Sequence, residues 1–232
     1  MERLQKIIAN AGYCSRRKAE ELIGQSRVSL NGEIAKLGDK ATEEDKIEIE
    51  GKPLRRKEKN YYYILNKPKG ILVTKEDPQN RRIIYNLKAL SKLKKEIGFD
   101  LNYVGRLDGA SEGLLLLTND GELNNQLTHP KHDVEKTYKI RTEPVITKED
   151  IAKLKKGILI DDRKFFAEIS SIEKNTFNIK IKEGRNRIIR KVLEDTLDYK
   201  IYLLKRISLG KISLGNLQTG EIKKIEKPIL KK

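Results

Sequence analysis

The sequence predicts an α+β fold, with a small helical module at the N-terminus and a larger domain built on a mixed, mostly antiparallel sheet flanked by helices. Apolar residues follow helical spacing in the first part of the chain, whereas later segments alternate as strands do. The two patterns do not follow each other as regular βαβ units, which disfavours a doubly wound parallel sheet. We place the module at residues 1–54, a linker at 55–60, the larger domain at 61–228 and a basic tail at 229–232.

The module begins with two predicted helices. The first carries its apolar residues at i, i+3, i+4 and i+7 and ends at Gly12, and Ser15 is placed to cap the second. Asn31-Gly32 and Glu50-Gly51 are turn signals. They lie beside three short strand segments, around Val28–Leu30, Ile34 and Ile47–Ile49.

The larger domain opens with a strand at 61–65 and continues with a partly helical segment at 83–97. Four leucines at 114–117, bounded by turn residues, predict a strand buried on both faces. Later alternating segments predict strands, and residues 186–197 have helical spacing. The later strands are at 136–142, 165–172 and 176–182.

The net charge of +16 indicates a polyanionic partner, with nucleic acid ahead of an anionic membrane surface. A lysine-rich solubility surface is the alternative explanation. Residues 1–60 hold 14 basic and 11 acidic residues, and the remainder hold 36 and 23, so most of the positive charge belongs to the larger domain. No apolar run is long enough to span a membrane, and the N-terminus lacks the apolar core of a signal peptide. We therefore expect a cytoplasmic protein.

The cysteine and histidine content disfavours structural metal sites. The single cysteine, Cys14, cannot form an internal disulfide, and His129 and His132 are the only histidines. No phosphate-binding glycine loop is present either. We expect no metal, no cofactor and a monomeric chain.

Asp108 is the leading candidate for chemistry. It lies between Gly105 and Gly109, directly ahead of the leucine run, and an acid at the mouth of a buried strand needs a partner or a function. Taken alone, an Asp-Gly dipeptide is usually a structural turn. The whole segment 105–121 resembles the signature of RNA pseudouridine synthases, in particular the RsuA/RluB family acting on ribosomal RNA. The resemblance makes Asp108 the catalytic carboxylate, with no metal or cofactor required.

Two further motifs resemble the same family. In 183–191 the resemblance implies that Arg190 pairs with Asp108, as a permanently charged bidentate partner can. In 135–138 it implies that Tyr138 lies against the target base and assists removal of the C5 proton. The alternative for Arg190 is that it belongs to a basic helix start with a solvated face. The alternative for Tyr138 is that it is a half-buried tyrosine of a sheet. Ile188 replaces a usual Gln, and Ala110 a frequent Thr.

Residues 11–32 resemble the S4 RNA-binding domain, an αL-type module, with Ser26 in place of a usual Gly. Its second helix starts with three cations beside free backbone N–H groups, which favours phosphate binding over an incidental charge run. Residues 66–70 also match the synthase family. The predicted RNA-binding residues are Arg16, Arg17, Lys18, Arg27, Lys67, Lys69, Arg106, Lys136, Arg185, Arg187 and Lys191.

Site-specific isomerisation of uridine to pseudouridine in ribosomal RNA is therefore the predicted function. The pattern Asp77-Pro78 with Arg81 slightly favours large-subunit over small-subunit RNA. The sequence leaves open whether the carboxylate attacks C1′ of the sugar or removes the C2′ proton. A non-catalytic S4-domain RNA-binding or ribosome assembly factor is the alternative. An S4-domain methyltransferase would need a glycine-rich cofactor loop, which this sequence lacks.

Overall fold

The computed structural model describes residues 1–42, 44–54 and 59–229. Within it the chain divides into two compact units, one of residues 1–60 with 119–121 and one containing the remaining residues. Positions 55–58 of the predicted linker lie outside the described residues, and Lys59 and Asn60 are exposed in irregular structure. Of the predicted tail only Ile229 is described, and it is exposed.

The small unit packs two helices against short antiparallel strands. Its elements are β1 (Glu2–Arg3), α1 (Leu4–Asn10), α2 (Arg16–Gly24), β2 (Val28–Leu30), β3 (Glu33–Ile34), β4 (Lys40–Ala41), β5 (Ile47–Ile49) and β6 (Lys52–Pro53). One sheet has the order β3-β2-β5-β6, and β1 pairs with β4. The capping prediction is confirmed, because the Ser15 hydroxyl accepts the Lys18 backbone N–H at 3.2 Å. Apolar residues from both helices and from strands β2, β4 and β5 form one core.

Ser26 explains why glycine is usual at its position. Its φ is +58°, and its N–H donates to the carbonyl of Ile23 in the turn that follows α2. A residue with a Cβ pays about 1 kcal/mol for this left-handed conformation. Ser26 keeps this left-handed conformation within the turn, so the departure from the usual glycine does not prevent the module from folding.

The large unit contains a long sheet, a hairpin and four α-helices among the described residues. Its elements are β7 (Tyr62–Lys67), a 3₁₀ turn (Ile84–Asn86), α3 (Lys88–Ile97), β8 (Asn102–Val104), β9 (Glu112–Thr118), α4 (Gly121–Thr128), a 3₁₀ turn (Pro130–His132), β10 (Lys136–Glu143), α5 (Lys148–Lys156), β11 (Ile158–Ile160), β12 (Arg163–Phe165), β13 (Glu168–Glu173), β14 (Thr176–Ile181), α6 (Ile188–Arg190), a π-helical segment (Lys191–Thr196), β15 (Lys200–Leu209), β16 (Ile212–Ser213) and β17 (Ile222–Lys224).

The sheet has the order β13-β14-β10-β15-β9-β7-β17. In addition, β8 pairs with β9 and β16 pairs with β15. Among the described strands every pairing is antiparallel except that of β9 with β15, where Glu112 and Gly113 face Lys205 and Arg206. Leu114–Leu117 have no exposed surface, which confirms the buried central strand. The predicted α+β class with a mostly antiparallel sheet is therefore confirmed.

Two strands differ from the sequence prediction. The segment 165–172 is not one strand, because it leaves β12 after Phe165 and starts again at Glu168. Between them the Ala167 N–H donates to the Leu154 carbonyl of α5 at 3.1 Å, which turns the chain away from the hairpin. The sequence analysis also assigned no element to Lys200–Leu209, the ten-residue strand β15 that joins β10 to β9.

Candidate active site

Asp108 lies in the loop between β8 and β9, and the backbone of this loop is held by three donors from two other segments, residues 67–70 and α6. The carbonyl of Gly109 accepts the Gly70 N–H at 2.6 Å. The carbonyl of Ala110 accepts Nη2 of Arg190 at 3.3 Å, and that of Ser111 accepts Nζ of Lys67 at 2.8 Å. Three successive carbonyls are therefore fixed, which orients the carboxylate that precedes them.

The Asp108 carboxylate is partly buried, with 23% of its side chain exposed, and its Oδ2 lies 3.4 Å from Nε of Arg190. Its Oδ1 is buried and has no hydrogen-bond partner among the described residues. Buried polar atoms in native proteins are nearly always paired, so an unpaired carboxylate oxygen at a cleft is available to a ligand. The predicted juxtaposition of Asp108 with Arg190 is present.

Arg190 is buried at the end of the short helix α6, with 7% of its surface exposed. Besides Asp108, its guanidinium contacts Glu194, whose Oε1 accepts Nη1 at 2.9 Å, and the Ala110 carbonyl. Ile188 and Ile189, both buried, anchor the helix to the core. Two hydrogen bonds and the ion pair with Asp108 leave the planar guanidinium little rotational freedom, although its Nε makes no hydrogen bond to a described residue. This geometry presents a fixed positive charge to the Asp108 carboxylate.

The two departures from the family pattern near this site have simple structural consequences. Ala110 contributes its backbone carbonyl to Arg190, and any residue at that position could supply it. Ile188 is buried in the main hydrophobic core, so its side chain packs among apolar neighbours. The ion pair between Asp108 and Arg190 is present with both departures in the chain.

Lys67 corrects one sequence prediction. It was expected to bind RNA, but its side chain has no exposed surface, because β7 is buried along its whole length. Its Nζ donates to the carbonyls of Pro68 and Ser111 at 2.9 and 2.8 Å. Burial lowers the pKa of Lys67 to about 8, against the opposing attraction of Asp108 and Glu112. The Lys67 ammonium therefore supports the Asp108 loop from behind and does not face RNA.

A cleft of about 1520 Å³ lies over this loop. It brings together most of the predicted site residues of the large unit, namely Asp108, Tyr138, Arg190, Arg106, Lys136, Arg185 and Arg187. Lys69 is exposed and lies outside the lining, and Lys191 also lies outside it, in an ion pair of 2.5 Å with Asp161. Basic side chains outnumber acidic ones in the lining by 12 to 7, which suits a polyanionic ligand.

Some of the cleft cations are already partly engaged. Arg185 donates to both carboxylate oxygens of Glu183, at 2.5 and 2.9 Å, and to the Ile160 carbonyl. Arg187 is half exposed and lies 4.0 Å from Glu194. Burial lowers the pKa of Lys136, and the neighbouring Arg206 lowers it further. Arg187 is thus the most available of these three cations to a phosphate.

Arg206 is a site residue that the sequence analysis missed. It lies on β15 directly opposite Tyr138 of β10 and lines the same cleft. Only 2% of its surface is exposed, its Nε donates to the Leu114 carbonyl at 2.7 Å, and its Nη2 is buried without a partner among the described residues. The only available signal was weak alternation through 200–209, which Lys205 and Arg206 interrupt. The cleft floor therefore holds a second buried guanidinium.

The rim of the cleft carries the pattern that favoured large-subunit RNA. The Asp77 carboxylate accepts Nε and Nη2 of Arg81 at 3.1 and 2.6 Å, and also the Arg81 backbone N–H. These bonds lower the pKa of Asp77 to about 2. The two side chains close the loop from 77 to 81, and Arg81 keeps 56% of its side chain exposed.

In the small unit the four predicted RNA-binding residues differ in availability. Arg16 and Arg17 are exposed in the first turn of α2, and no ion pair engages them within the described residues. Lys18 pairs with Glu21 at 2.7 Å, and Arg27 pairs with Glu50. Of these four predicted residues, the two arginines are therefore the ones that are free to bind phosphate.

Comparison with known families decides between the alternatives. The model of the RNA pseudouridylate synthase family matches residues 61–195, and that of the S4 domain matches residues 2–47. The chain belongs to the RNA pseudouridylate synthase family. It is thus an RNA pseudouridine synthase, an isomerase with an S4 RNA-binding domain, and the expectation of an enzyme is confirmed over that of a non-catalytic binding factor.

Individual relatives agree with this assignment. The chain is 38% identical to "Ribosomal large subunit pseudouridine synthase B" of Bacillus subtilis, covering 97% of this chain and 92% of that protein. It is also 38% identical to an "Uncharacterized RNA pseudouridine synthase" of Aquifex aeolicus, covering 94% and 88%. A solved structure titled "Crystal structure of pseudouridylate synthase" superposes with a TM-score of 0.68 and 31% identity, covering 97% and 96%.

Proposed function

We propose that this synthase converts a specific uridine of ribosomal RNA, and of large-subunit RNA in particular, to pseudouridine. The choice of substrate rests on the names of two relatives. The proteins of Bacillus subtilis and Yersinia pestis are both named ribosomal large subunit pseudouridine synthase B. The Asp77–Arg81 loop favours the same target. Because ribosomal RNA is the proposed substrate and these relatives are bacterial, we place the protein in the cytoplasm. No described helix is long and apolar enough to cross a bilayer.

The single observation that carries the chemistry is the carboxylate–guanidinium pair of Asp108 and Arg190 in a basic cleft. The reaction breaks the bond between N1 of uracil and C1′, rotates the base, and joins C5 to C1′, after which the C5 proton leaves. Asp108 starts this by attacking C1′ or by removing the C2′ proton. Arg190 lies beside the carboxylate, with its Nε 3.4 Å from Oδ2, and is proposed to orient it for either step.

Tyr138 is proposed to hold the flipped base and to assist removal of the C5 proton. It lies on β10 in the cleft lining, with 8% of its surface exposed. A target base in structured RNA must leave its stack, and a neighbouring aromatic ring is a common way to hold it. Arg106, Lys136 and Arg187 in the same cleft are proposed to contact RNA phosphates, together with Arg16 and Arg17 of the S4 domain. No metal or cofactor takes part in this scheme.

Release of tritium from C5-labelled uridine in large- and small-subunit transcripts tests the proposal. Asp108→Asn should abolish release and leave RNA affinity within a few fold of the wild type. Asp133→Asn is the matched control, because Asp133 lines the same cleft and has a φ of +45°, which Asn tolerates. It should retain turnover. Turnover by Asp108→Asn, or equal loss of affinity and turnover, would contradict the proposed role.

A further inference from the structure

Phe166 is an exposed aromatic residue at the cleft. It keeps 54% of its surface exposed, whereas Phe165 and Phe177 are fully buried. It lines the same cleft as Asp108, but on the segment that joins the β11–β12 hairpin to β13. Neither the family signature nor the proposed chemistry assigns it a role.

The backbone around Phe166 fixes the direction of its side chain. Phe165 before it and Ala167 after it are both buried, and the Ala167 N–H donates to the Leu154 carbonyl. The ring packs on Gly157, which has a φ of +96°, and a Cβ there would lie 2.6 Å from the ring. One edge of the ring is thus covered by a residue without a side chain. The ring is held in place before any ligand arrives, which lowers the entropic cost of binding to it.

The charges around this ring suit a nucleic acid. Lys155 of α5 and Arg163 and Lys164 of β12 line the same cleft and lie close to Phe166 in sequence, and none of the three forms an ion pair with another described residue. The acidic side chain of Glu168 also lines it, 3.6 Å from Lys180. Three unpaired cations beside an exposed ring match a phosphate backbone carrying an unstacked base. An apolar surface meant for a protein partner would more often have few charges at its centre.

We propose that Phe166 is a stacking platform for an unpaired base of the RNA substrate, separate from the uridine that reacts at Asp108. Lys155, Arg163 and Lys164 bind the phosphates that flank this base. This inference rests on the proposed function, because it takes RNA as the ligand. It adds a second point at which single-stranded RNA is held. It favours substrates that carry an unpaired nucleotide near the target uridine.

A tryptophan at this position reports stacking directly, because the chain contains no tryptophan. Phe166→Trp keeps the platform, and its emission should be quenched as either ribosomal transcript is titrated. Phe166→Ala should weaken RNA affinity by between roughly fivefold and 100-fold, the range for loss of one base–aromatic stack. Ile172 is the matched control position, since it is 50% exposed in the same unit and lies outside the cleft lining.

The outcomes separate the platform from the proposed function. The platform is supported if RNA quenches the emission of Phe166→Trp but not that of Ile172→Trp. It also requires that Phe166→Ala loses RNA affinity and Ile172→Ala does not. Equal affinities of the wild type, Phe166→Ala and Ile172→Ala overturn it, even if the wild type releases tritium. A fall in self-association of Phe166→Ala, measured by light scattering, with unchanged RNA affinity also overturns it and assigns the ring to a protein contact. If the wild type neither binds RNA nor releases tritium, both proposals fail.

Discussion

Glu194 holds Arg190 more closely than Asp108 does. Its Oε1 accepts Nη1 of Arg190 at 2.9 Å, whereas Oδ2 of Asp108 lies 3.4 Å from Nε of the same guanidinium. Glu194 lies one turn further along the chain, in the π-helical segment Lys191–Thr196. The guanidinium is thus shared between an anchoring carboxylate and the proposed catalytic one.

We predict that Glu194→Gln lowers the turnover rate about tenfold, because a hydrogen bond to a charged partner contributes about 1.5–3 kcal/mol. Gln keeps the size of Glu but not its charge, so Arg190 is held less firmly. RNA affinity should change less than twofold, since Glu194 does not line the cleft and its contact with Arg187 is a long one of 4.0 Å. Single-turnover tritium release measures the rate. Asp195→Asn, an exposed neighbour, is the control, and an unchanged rate in Glu194→Gln would remove Glu194 from the positioning role.

Lys67 makes stability depend on pH in a defined direction. Its folded pKa of about 8 lies below the ordinary lysine value of 10.5, so the unfolded chain binds more protons between these values. The folded state therefore gains stability from this group as the pH rises from about 8 to about 10.5. Melting temperatures of the wild type should rise relative to those of Lys67→Met across this range. Lys69→Met, at an exposed position nearby, should follow the wild type, and parallel curves for all three proteins would contradict the buried ammonium.

Gly113 allows β9 and β15 to approach each other. It has a φ of +103°, and a Cβ there would lie 2.3 Å from the Arg206 carbonyl oxygen. We predict that Gly113→Ala destabilises the protein by about 3 kcal/mol or more, through backbone strain and displacement of β15. Gly184→Ala is the control, since its nearest atom lies 4.0 Å away, and should stay within about 1 kcal/mol. Urea unfolding followed by circular dichroism measures both, and equal midpoints would contradict the close approach.

The S4 domain should contribute to salt-dependent binding through Arg16 and Arg17. Each phosphate contact adds roughly 0.7–0.9 to the slope of log affinity against log salt. Arg16→Ala with Arg17→Ala should therefore reduce the slope by about 1.5. The pair Lys92→Ala with Lys95→Ala removes the same charge from exposed positions of α3 outside the cleft lining, and should change the slope little. Equal slopes for the two double variants would exclude α2 from the RNA interface.

Local features of this chain were predictable from sequence. The Ser15 cap depends on residues within one turn, and the buried run at 114–117 depends on composition alone. The juxtaposition of Asp108 and Arg190 came from family resemblance, since no local rule brings a loop before β9 to a helix before β15. Their roles in the reaction remain predictions.

Long-range packing explains the features that sequence reasoning missed. Lys67, beside a proline and a turn, has the local sequence of an exposed residue, but β7 lies inside the sheet and the Lys67 side chain is buried against the Asp108 loop. Arg206 interrupts the apolar pattern of its strand, although it is buried opposite Tyr138. In both cases a cation was judged by its neighbours in sequence, whereas its neighbours across the sheet decided its environment.

The long sheet consists of two antiparallel halves that meet where β9 pairs in parallel with β15. Only two residue pairs form this parallel contact. The cleft takes Asp108 from one half and Tyr138 and Arg190 from the other. RNA that binds in this cleft as proposed would contact both halves of the sheet at once. Substrate should thus raise the melting temperature by mass action. It should also slow hydrogen exchange most at the backbone amides around Gly113 and Arg206, so that the protein becomes most rigid where its two halves meet.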